Sequence, residues 1–160
     1  MSNDITQAST EELIEHILTR FHDTHRDQLP ELIQLSERVE RVHGGHTECP
    51  AGLAAHLRQM QEELETHMAK EEQILFPMIT RGMGAMAGGP IAVMQSEHEE
   101  HAAALNELAK LTNNLTLPEG ACGSWQRLYR GIAAFRDDLS NHIGLENDVL
   151  FARVTERTAG

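Results

Sequence analysis

The chain has 160 residues and a net charge of -12, with 25 acidic side chains against 13 basic ones, which argues against nucleic acid or an anionic membrane surface as a partner. Apolar residues make up 40% of the chain and aromatic residues only 4%, which favours a helical core of aliphatic side chains in one domain, residues 1–160. No run approaches the ~18 apolar residues of a membrane span and the N-terminus lacks the pattern of a secretory signal, so we expect a cytoplasmic protein.

Apolar residues recur at helical spacing in the first quarter of the chain. They indicate a helix that starts at Thr10 and reaches about residue 24, and a helical run from Leu32 to Val42 that stops at two glycines. Pro30 lacks an amide proton and disfavours helix at the residue before it, so we expect a junction or kink between residues 23 and 30. The pieces are either a short extra N-terminal helix and the first bundle helix, or one kinked helix.

Three further helices are predicted, from Leu53 to Pro77, from Pro90 to Leu111 and from about Ser124 to Val154. Residues 81–89 contain four glycines and are expected to hold no regular structure. The alternation of apolar and polar residues that is typical of a strand does not occur in the sequence. Four long amphipathic helices with short connections predict an all-α fold, an antiparallel up-down four-helix bundle.

The pattern His-x-x-x-Glu occurs twice, at His67 and Glu71 and again at His142 and Glu146. Residues four apart lie on one face of an α-helix, about one turn apart, so each pair points an imidazole and a carboxylate in one direction. Counting ~1.5 Å per residue from the predicted helix ends places both pairs at one level of the bundle. The same counting brings two more histidines, His22 and His98, to that level.

Three other histidines flank the loop at the opposite end of the predicted bundle. These are His43, His46 and His56, and we expect them to be solvated or capping residues. The two cysteines, Cys49 and Cys122, are expected to be reduced thiols, because they are too few for a disulfide framework and form no C-x-x-C pair.

Four imidazoles and two carboxylates at one buried level predict a metal site, because buried carboxylates without cations cost several kcal/mol. Nitrogen and oxygen donors without nearby cysteine favour a first-row metal over magnesium or calcium, and they exclude thiolate sites. Carboxylates on facing helices can each bridge a metal pair, which leaves two histidines for each metal. The ferritin-like plan needs two Glu-x-x-His motifs, and the one that fits, Glu40 to His43, lies at the wrong end.

The sequence resembles the hemerythrin-like domain, and more closely the iron-sulfur cluster repair di-iron proteins, the repair-of-iron-centres family. The resemblance covers about residues 10 to 155. It rests on four stretches: Arg20 to Leu32, His67 to Ile79, Gln95 to His98 and His142 to Phe151. It implies a hemerythrin-like bundle with a non-haem di-iron centre, oxo- or hydroxo-bridged. The implied terminal ligands are His22, His67, His98 and His142, and the implied bridges are Glu71 and Glu146.

The resemblance also implies roles for residues around the ligands. Glu63 and Glu97 match family positions near the site or its access path. His101 has no clear counterpart in the family; it lies one turn deeper than His98, and we expect it to stand behind the ligands or in the core, or to act as a fifth imidazole. Full-length family members carry a small N-terminal domain with a Cys-Cys pair, and we expect this chain to lack that domain, because nothing like it precedes Ile5.

By this resemblance the protein acts in nitrosative and oxidative stress. The implied activities are binding or reducing nitric oxide at the reduced iron centre and supplying iron to damaged iron-sulfur proteins. Two other functions remain open. One is the binding or sensing of oxygen, as in hemerythrins, and the other is a metal-stabilised bundle with interaction roles only.

Overall fold

The computed structural model describes the backbone of residues 4–159 and the side chains of residues 4–156. Four long helices, named α1 to α4 here, make up the bundle, and no strand occurs in this range. Three of them contain a π-helical segment between two α-helical ones. The segments are Thr10–His16, Ile17–His22 (π) and Asp23–Val42 in α1; Leu53–Lys70, Glu71–Leu75 (π) and Phe76–Thr80 in α2; Gly88–Leu111 in α3; and Gly123–Leu145, Glu146–Leu150 (π) and Phe151–Ala159 in α4.

The helices pack as the predicted four-helix bundle, which confirms the all-α fold class. Helix α1 contacts α2 and α4 along its length, and α3 contacts α2 and, less extensively, α4. Two short 3-10 turns, Ile5–Gln7 and Gly84–Met86, add to these helices. Among the described residues, no helix combines the length and the apolar character needed to cross a bilayer.

The expectation of a junction between residues 23 and 30 is wrong, because the helix continues through this stretch, and a kink within the continuous helix stays a prediction. Pro30 lies inside the α-helical segment Asp23–Val42. Its side chain is exposed, and on that face water can satisfy the carbonyl that loses its amide partner to proline. The irregularity in α1 lies earlier, in the π-helical segment Ile17–His22.

The prediction that residues 81–89 hold no regular structure is also wrong. A 3-10 turn covers Gly84–Met86, and helix α3 already begins at Gly88. Packing holds the turn in spite of its glycines. Ala87 is fully buried, and a Cβ atom on Gly84 would lie 3.2 Å from the side chain of Val154, so α4 and this turn are in close contact.

Two apolar clusters, one at each end of the bundle, form the core. One contains residues such as Leu57, Leu128 and Phe135, and the other contains residues such as Ile17, Leu75 and Phe151. Between them along the helices lies a layer of buried polar residues, which includes histidines from all four helices and two glutamates. The apolar clusters on either side shield this layer from water.

Candidate metal centre

The structure brings together all six residues that the sequence placed at one level. They form two groups of four, and in each group the possible ligand atoms lie within 4.8 Å of one another. The first group is His22, Glu71, His142 and Glu146, and the second is His67, Glu71, His98 and Glu146. Both glutamates belong to both groups, so the two groups adjoin each other and share their carboxylates.

Three of the six cluster residues lie at the end of a π-helical segment. His22 is the last residue of the π segment in α1, while Glu71 and Glu146 are the first residues of those in α2 and α4. A π segment is wound more loosely than an α-helix and is common at functional sites. In α2, Pro77 follows the segment and cannot donate the backbone hydrogen bond that would continue a regular ladder.

The two glutamates occupy the centre of the cluster. Glu146 divides its oxygens between the groups: Oε1 lies 2.8 Å from His98 Nε2, and Oε2 lies 3.1 Å from His142 Nε2. Glu71 uses Oε1 for both groups, at 3.1 Å from His22 Nε2 and 3.5 Å from His67 Nε2. Each carboxylate therefore contacts one histidine from each group, as a bridging ligand would.

Several atoms in this cluster lack hydrogen bonds although they are buried. Among the described residues nine buried side-chain nitrogen or oxygen atoms have no hydrogen-bond partner, and six of them belong to the cluster. These six are Nε2 of His67, His98 and His142, Oε2 of Glu71 and both carboxylate oxygens of Glu146. Buried polar atoms are normally satisfied, and unpaired ones are costly. A cation coordinated by these lone pairs would satisfy them, so the residues present fit a metal.

The buried carboxylates also perturb each other. Burial raises the pKa of Glu71 well above its usual range, and the neighbouring Glu146 adds to the shift. Burial also acts to raise the pKa of Glu146, but His142, His67 and His98 overcome it and hold that pKa below the usual value. Burial lowers the pKa of His22 to about 4, with His142 as the next cause, so this imidazole is neutral at pH 7.

Each of the four inward-facing histidines is held from behind at Nδ1. The partners are Glu72 Oε2 for His22 at 2.7 Å, Glu97 Oε1 for His67 at 2.8 Å, Asn147 Oδ1 for His98 at 2.8 Å and His25 Nε2 for His142 at 3.0 Å. A partner at Nδ1 sets the tautomer and the ring orientation of a metal-ligating histidine and raises its basicity. The Nε2 atoms of His22, His67 and His98 are thus turned toward the cluster with a lone pair available, and Nε2 of His142 also faces the cluster.

Glu72 and Glu97, the carboxylate partners of His22 and His67, each form an ion pair with a cationic side chain. Arg26 donates to Glu72 at 2.8 Å, and Lys70 donates to Glu97. Partial burial opposes ionisation of both carboxyls, but the bonds from the cations and the histidines outweigh it and lower the pKa of Glu72 and of Glu97. Both are therefore anionic acceptors at pH 7.

The three residues predicted to surround the ligands take different positions. Glu97 contacts His67 directly, as described. His101 is buried behind His67, with ring centroids 4.9 Å apart, and its Nδ1 has no hydrogen-bond partner within the described part of the chain. Glu63 is exposed and accepts a bond from Gln59, and it belongs to neither group of four. All three line one surface cavity of about 430 Å³, with Glu62 and Glu100 beside them.

The three histidines predicted to lie at the far end have partners there. His43 Nε2 lies 3.1 Å from the Sγ atom of Cys122, His46 accepts from the backbone amide of Glu48, and His56 Nε2 lies 2.9 Å from a backbone oxygen. None of the three belongs to either group of four. Cys122 and Cys49 are both free thiols.

Sequence reasoning missed three residues that contact the cluster: His25, Glu72 and Asn147. A signal existed for the last two, because each directly follows one of the central glutamates, Glu71 and Glu146. Both lie within π segments and contact a histidine of another helix. His25 carries no such signal. It lies three residues after His22, and only the packing of α1 against α4 shows that it faces His142.

Comparison with known proteins finds a family model and relatives whose names agree with a metal site. The family model of the hemerythrin HHE cation binding domain matches residues 13–154. The iron-sulfur cluster repair protein YtfE of Yersinia pseudotuberculosis serotype O:1b (strain IP 31758) is 55% identical over 152 residues, which cover 95% of this chain and 69% of the relative. The protein of the same name from Yersinia pestis (strain Pestoides F) shows the same identity and coverage.

Proposed function

The chain belongs to the hemerythrin HHE cation-binding family, and on this premise we propose that its buried cluster holds two iron ions and serves iron-sulfur cluster repair under nitrosative or oxidative stress. In this proposal His22 and His142 hold one iron, His67 and His98 hold the other, and Glu71 and Glu146 bridge the two. The relatives named for iron-sulfur cluster repair support the biological role.

The observation that carries the proposal is that two buried groups of four share both of their carboxylates. A structural zinc site is typically one tetrahedral group, often built with cysteine, and a calcium or magnesium site is built mainly from oxygen. Two positions with two imidazoles each and two common carboxylates suit a pair of first-row metal ions. Iron is the member of that series to which the relatives' names point.

When bound, reduced iron with an open coordination position supplies binding of small ligands such as nitric oxide or oxygen. The protein residues do the rest. Neutral imidazoles and only two carboxylates hold two divalent ions without fully neutralising them, and the absence of thiolates among the donors favours exchangeable iron. The apolar clusters on both sides keep bulk water away from the centre.

We further propose that iron or small ligands reach the centre through the cavity that Glu63, Glu97 and His101 line. Its acidic rim attracts cations. Glu97 and His101 lie at the inner side, each in contact with His67. Damaged iron-sulfur proteins are the proposed recipients of iron that leaves by this route.

The test measures iron content and the electronic spectrum of the purified protein, before and after reduction and after addition of nitric oxide under argon. We expect two irons per chain, a spectral change with nitric oxide, and transfer of iron to a chelator and to an apo iron-sulfur protein. A Glu71→Ala, Glu146→Ala variant should lose all of these, whereas a Glu119→Ala control at an exposed position should keep them. Inert iron and no response to nitric oxide would refute the proposal.

Oxygen binding is the second candidate, because His101 places a further buried imidazole beside His67. The same sample decides between the two. A stable band that forms in air and bleaches under argon would favour oxygen binding or sensing. Rapid oxidation of the reduced protein without such a band would favour the repair function.

A further inference from the structure

The hydrogen bond behind His142 differs from those behind the other three candidate ligands. His22, His67 and His98 face side-chain oxygens, which can only accept. His142 Nδ1 instead faces His25 Nε2, at 3.0 Å. A neutral imidazole nitrogen either donates or accepts, depending on the tautomer. This contact alone therefore does not determine which ring carries the proton between them.

The direction of the His142–His25 hydrogen bond is set by Gln28 and Asp138, which lie on the opposite side of the His25 ring. The Gln28 amide lies between His25 and Asp138: Nε2 donates to Asp138 Oδ2 at 2.9 Å, and Oε1 faces His25 Nδ1 at 3.4 Å. A carboxylate can only accept, so the amide must turn its NH2 group toward Asp138 and its oxygen toward His25. Arg20 holds the other oxygen of Asp138, at 2.9 Å.

The proton positions then follow in sequence. Because the Gln28 oxygen accepts, His25 carries its proton on Nδ1 and leaves Nε2 bare. Because His25 Nε2 is bare, it accepts from His142 Nδ1, and His142 is protonated there. The Nε2 atom of His142 is left with its lone pair pointing into the cluster, where it has no hydrogen-bond partner in the described structure.

We infer that His25, Gln28 and Asp138 form a positioning chain that keeps His142 in the tautomer able to bind metal. The inference rests on the proposed metal centre. It adds that the carboxylate of Asp138, acting through Gln28 and His25, controls the tautomer of one ligand, His142. His142 belongs to only one of the two groups of four, the one with His22. The chain therefore acts first on one of the two metal positions.

Packing keeps the ring of His25 in the orientation that the chain requires. Its side chain is fully buried. The ring lies against that of His142, with centroids 5.2 Å apart and an interplanar angle of 26°, and it meets Phe135 edge to face at 5.6 Å. A neutral ring in one orientation has two tautomers, and Gln28 selects between them.

Asp138→Asn is the sharpest test, because it changes one atom, which lies outside the cluster. An asparagine can present either an oxygen or an NH2 group to Gln28, so the amide is free to flip and to offer His25 a donor. Asp137→Asn is the matched control: it removes the same charge from the adjacent residue, whose side chain is 71% exposed against 16% for Asp138.

Two measurements read the outcome. Nitrogen-15 spectra of the metal-free protein, assigned with a His25→Gln variant, should show His25 protonated at Nδ1, with a population protonated at Nε2 appearing in Asp138→Asn. Release of Fe2+ to a chelator under argon should be at least about tenfold faster for one iron in Asp138→Asn, as for other partners of metal-bound histidines. Asp137→Asn should match the wild type in both measurements.

Variants at His25 itself complete the experiment. His25→Leu removes the acceptor and should speed iron release further, while His25→Gln places an amide oxygen at about the reach of Nε2 and should restore much of the wild-type behaviour. Wild-type release in Asp138→Asn, or a His25 ring protonated at Nε2 in the wild type, would overturn the inference whatever His25→Leu does. A protein that binds two irons but neither responds to nitric oxide nor transfers iron would fail the proposed function, and the nitrogen-15 spectra of the metal-free protein would still decide this inference.

Discussion

Replacing Glu71 by glutamine should have opposite consequences with and without metal. In the metal-free protein burial raises the pKa of Glu71 and so favours its neutral carboxyl, which glutamine matches in charge and shape. We therefore expect Glu71→Gln to change the free energy of unfolding of the metal-free protein by less than about 1 kcal/mol. With metal present, the variant lacks an anionic ligand that both groups of four share.

The size of the loss follows from that sharing. A metal ion that binds the native state at 100 times its Kd stabilises it by about 2.7 kcal/mol. If glutamine weakens each of the two positions tenfold, the loss is about 1.4 kcal/mol at each and about 2.7 kcal/mol in total. A change of the same severity at His98, which belongs to one group only, should cost about half as much.

The assay is urea unfolding at pH 7 under argon, for wild type and Glu71→Gln, each with saturating Fe2+ and each with excess chelator. We expect chelator to destabilise the wild type, the variant to match the wild type in chelator, and the difference to appear only with iron. A loss of more than about 2 kcal/mol in chelator would show that Glu71 stabilises the fold without metal. That outcome would refute the match between glutamine and the neutral carboxyl, whereas equal stability of the variant and the wild type in saturating Fe2+ would refute the assignment of Glu71 as a shared ligand.

Three further predictions concern pH and the surroundings of the cluster. Burial lowers the pKa of His22 to about 4 and those of His25 and His101 to about 3, below the unfolded value near 6.5. As the pH falls, the histidines of the unfolded chain therefore bind protons before those of the folded protein. The free energy of unfolding of the metal-free protein should fall below pH 6.5 by up to about 1.4 kcal/mol per histidine per pH unit, and the raised pKa of Glu71 partly offsets this loss. Urea unfolding at pH 7.0 and at pH 5.5 measures the difference. Glu97→Gln weakens the acceptor behind His67 and should reduce the equilibrium affinity for Fe2+ about 10- to 100-fold in a chelator competition. Glu63→Gln alters only the rim of the cavity and should slow Fe2+ uptake in stopped-flow mixing while leaving that affinity unchanged.

Each of these predictions has a result that would contradict it. Equal stability of the metal-free protein at pH 7.0 and 5.5 would mean that the buried histidines are protonated in the folded state. An unchanged affinity in Glu97→Gln would remove Glu97 from the metal centre, with Glu119→Gln, a change at an exposed position, as its control. A fall in affinity in Glu63→Gln would mean that this residue stabilises the bound metal and does not act on uptake alone.

Local spacing was enough to predict the helices and the six central residues. Amphipathic periodicity depends on neighbours within a few turns, so the four-helix bundle could be derived before any contact was known. The two His-x-x-x-Glu pairs depend on the α-helical repeat alone, and the depth of His22 and His98 follows from the constant rise per residue. These quantities are properties of each helix by itself, and the packed structure preserves them.

Tertiary packing decided everything that depends on how one helix faces another. His22 and His25 lie three residues apart on α1. His22 faces the centre of the cluster, whereas His25 lies behind His142 of α4. Glu72 and Asn147 reach histidines of other helices from within π segments, which the periodicity did not reveal. Rise and repeat are fixed by backbone geometry, whereas the rotation of each helix and the rotamer of each side chain are set only when the four helices pack together.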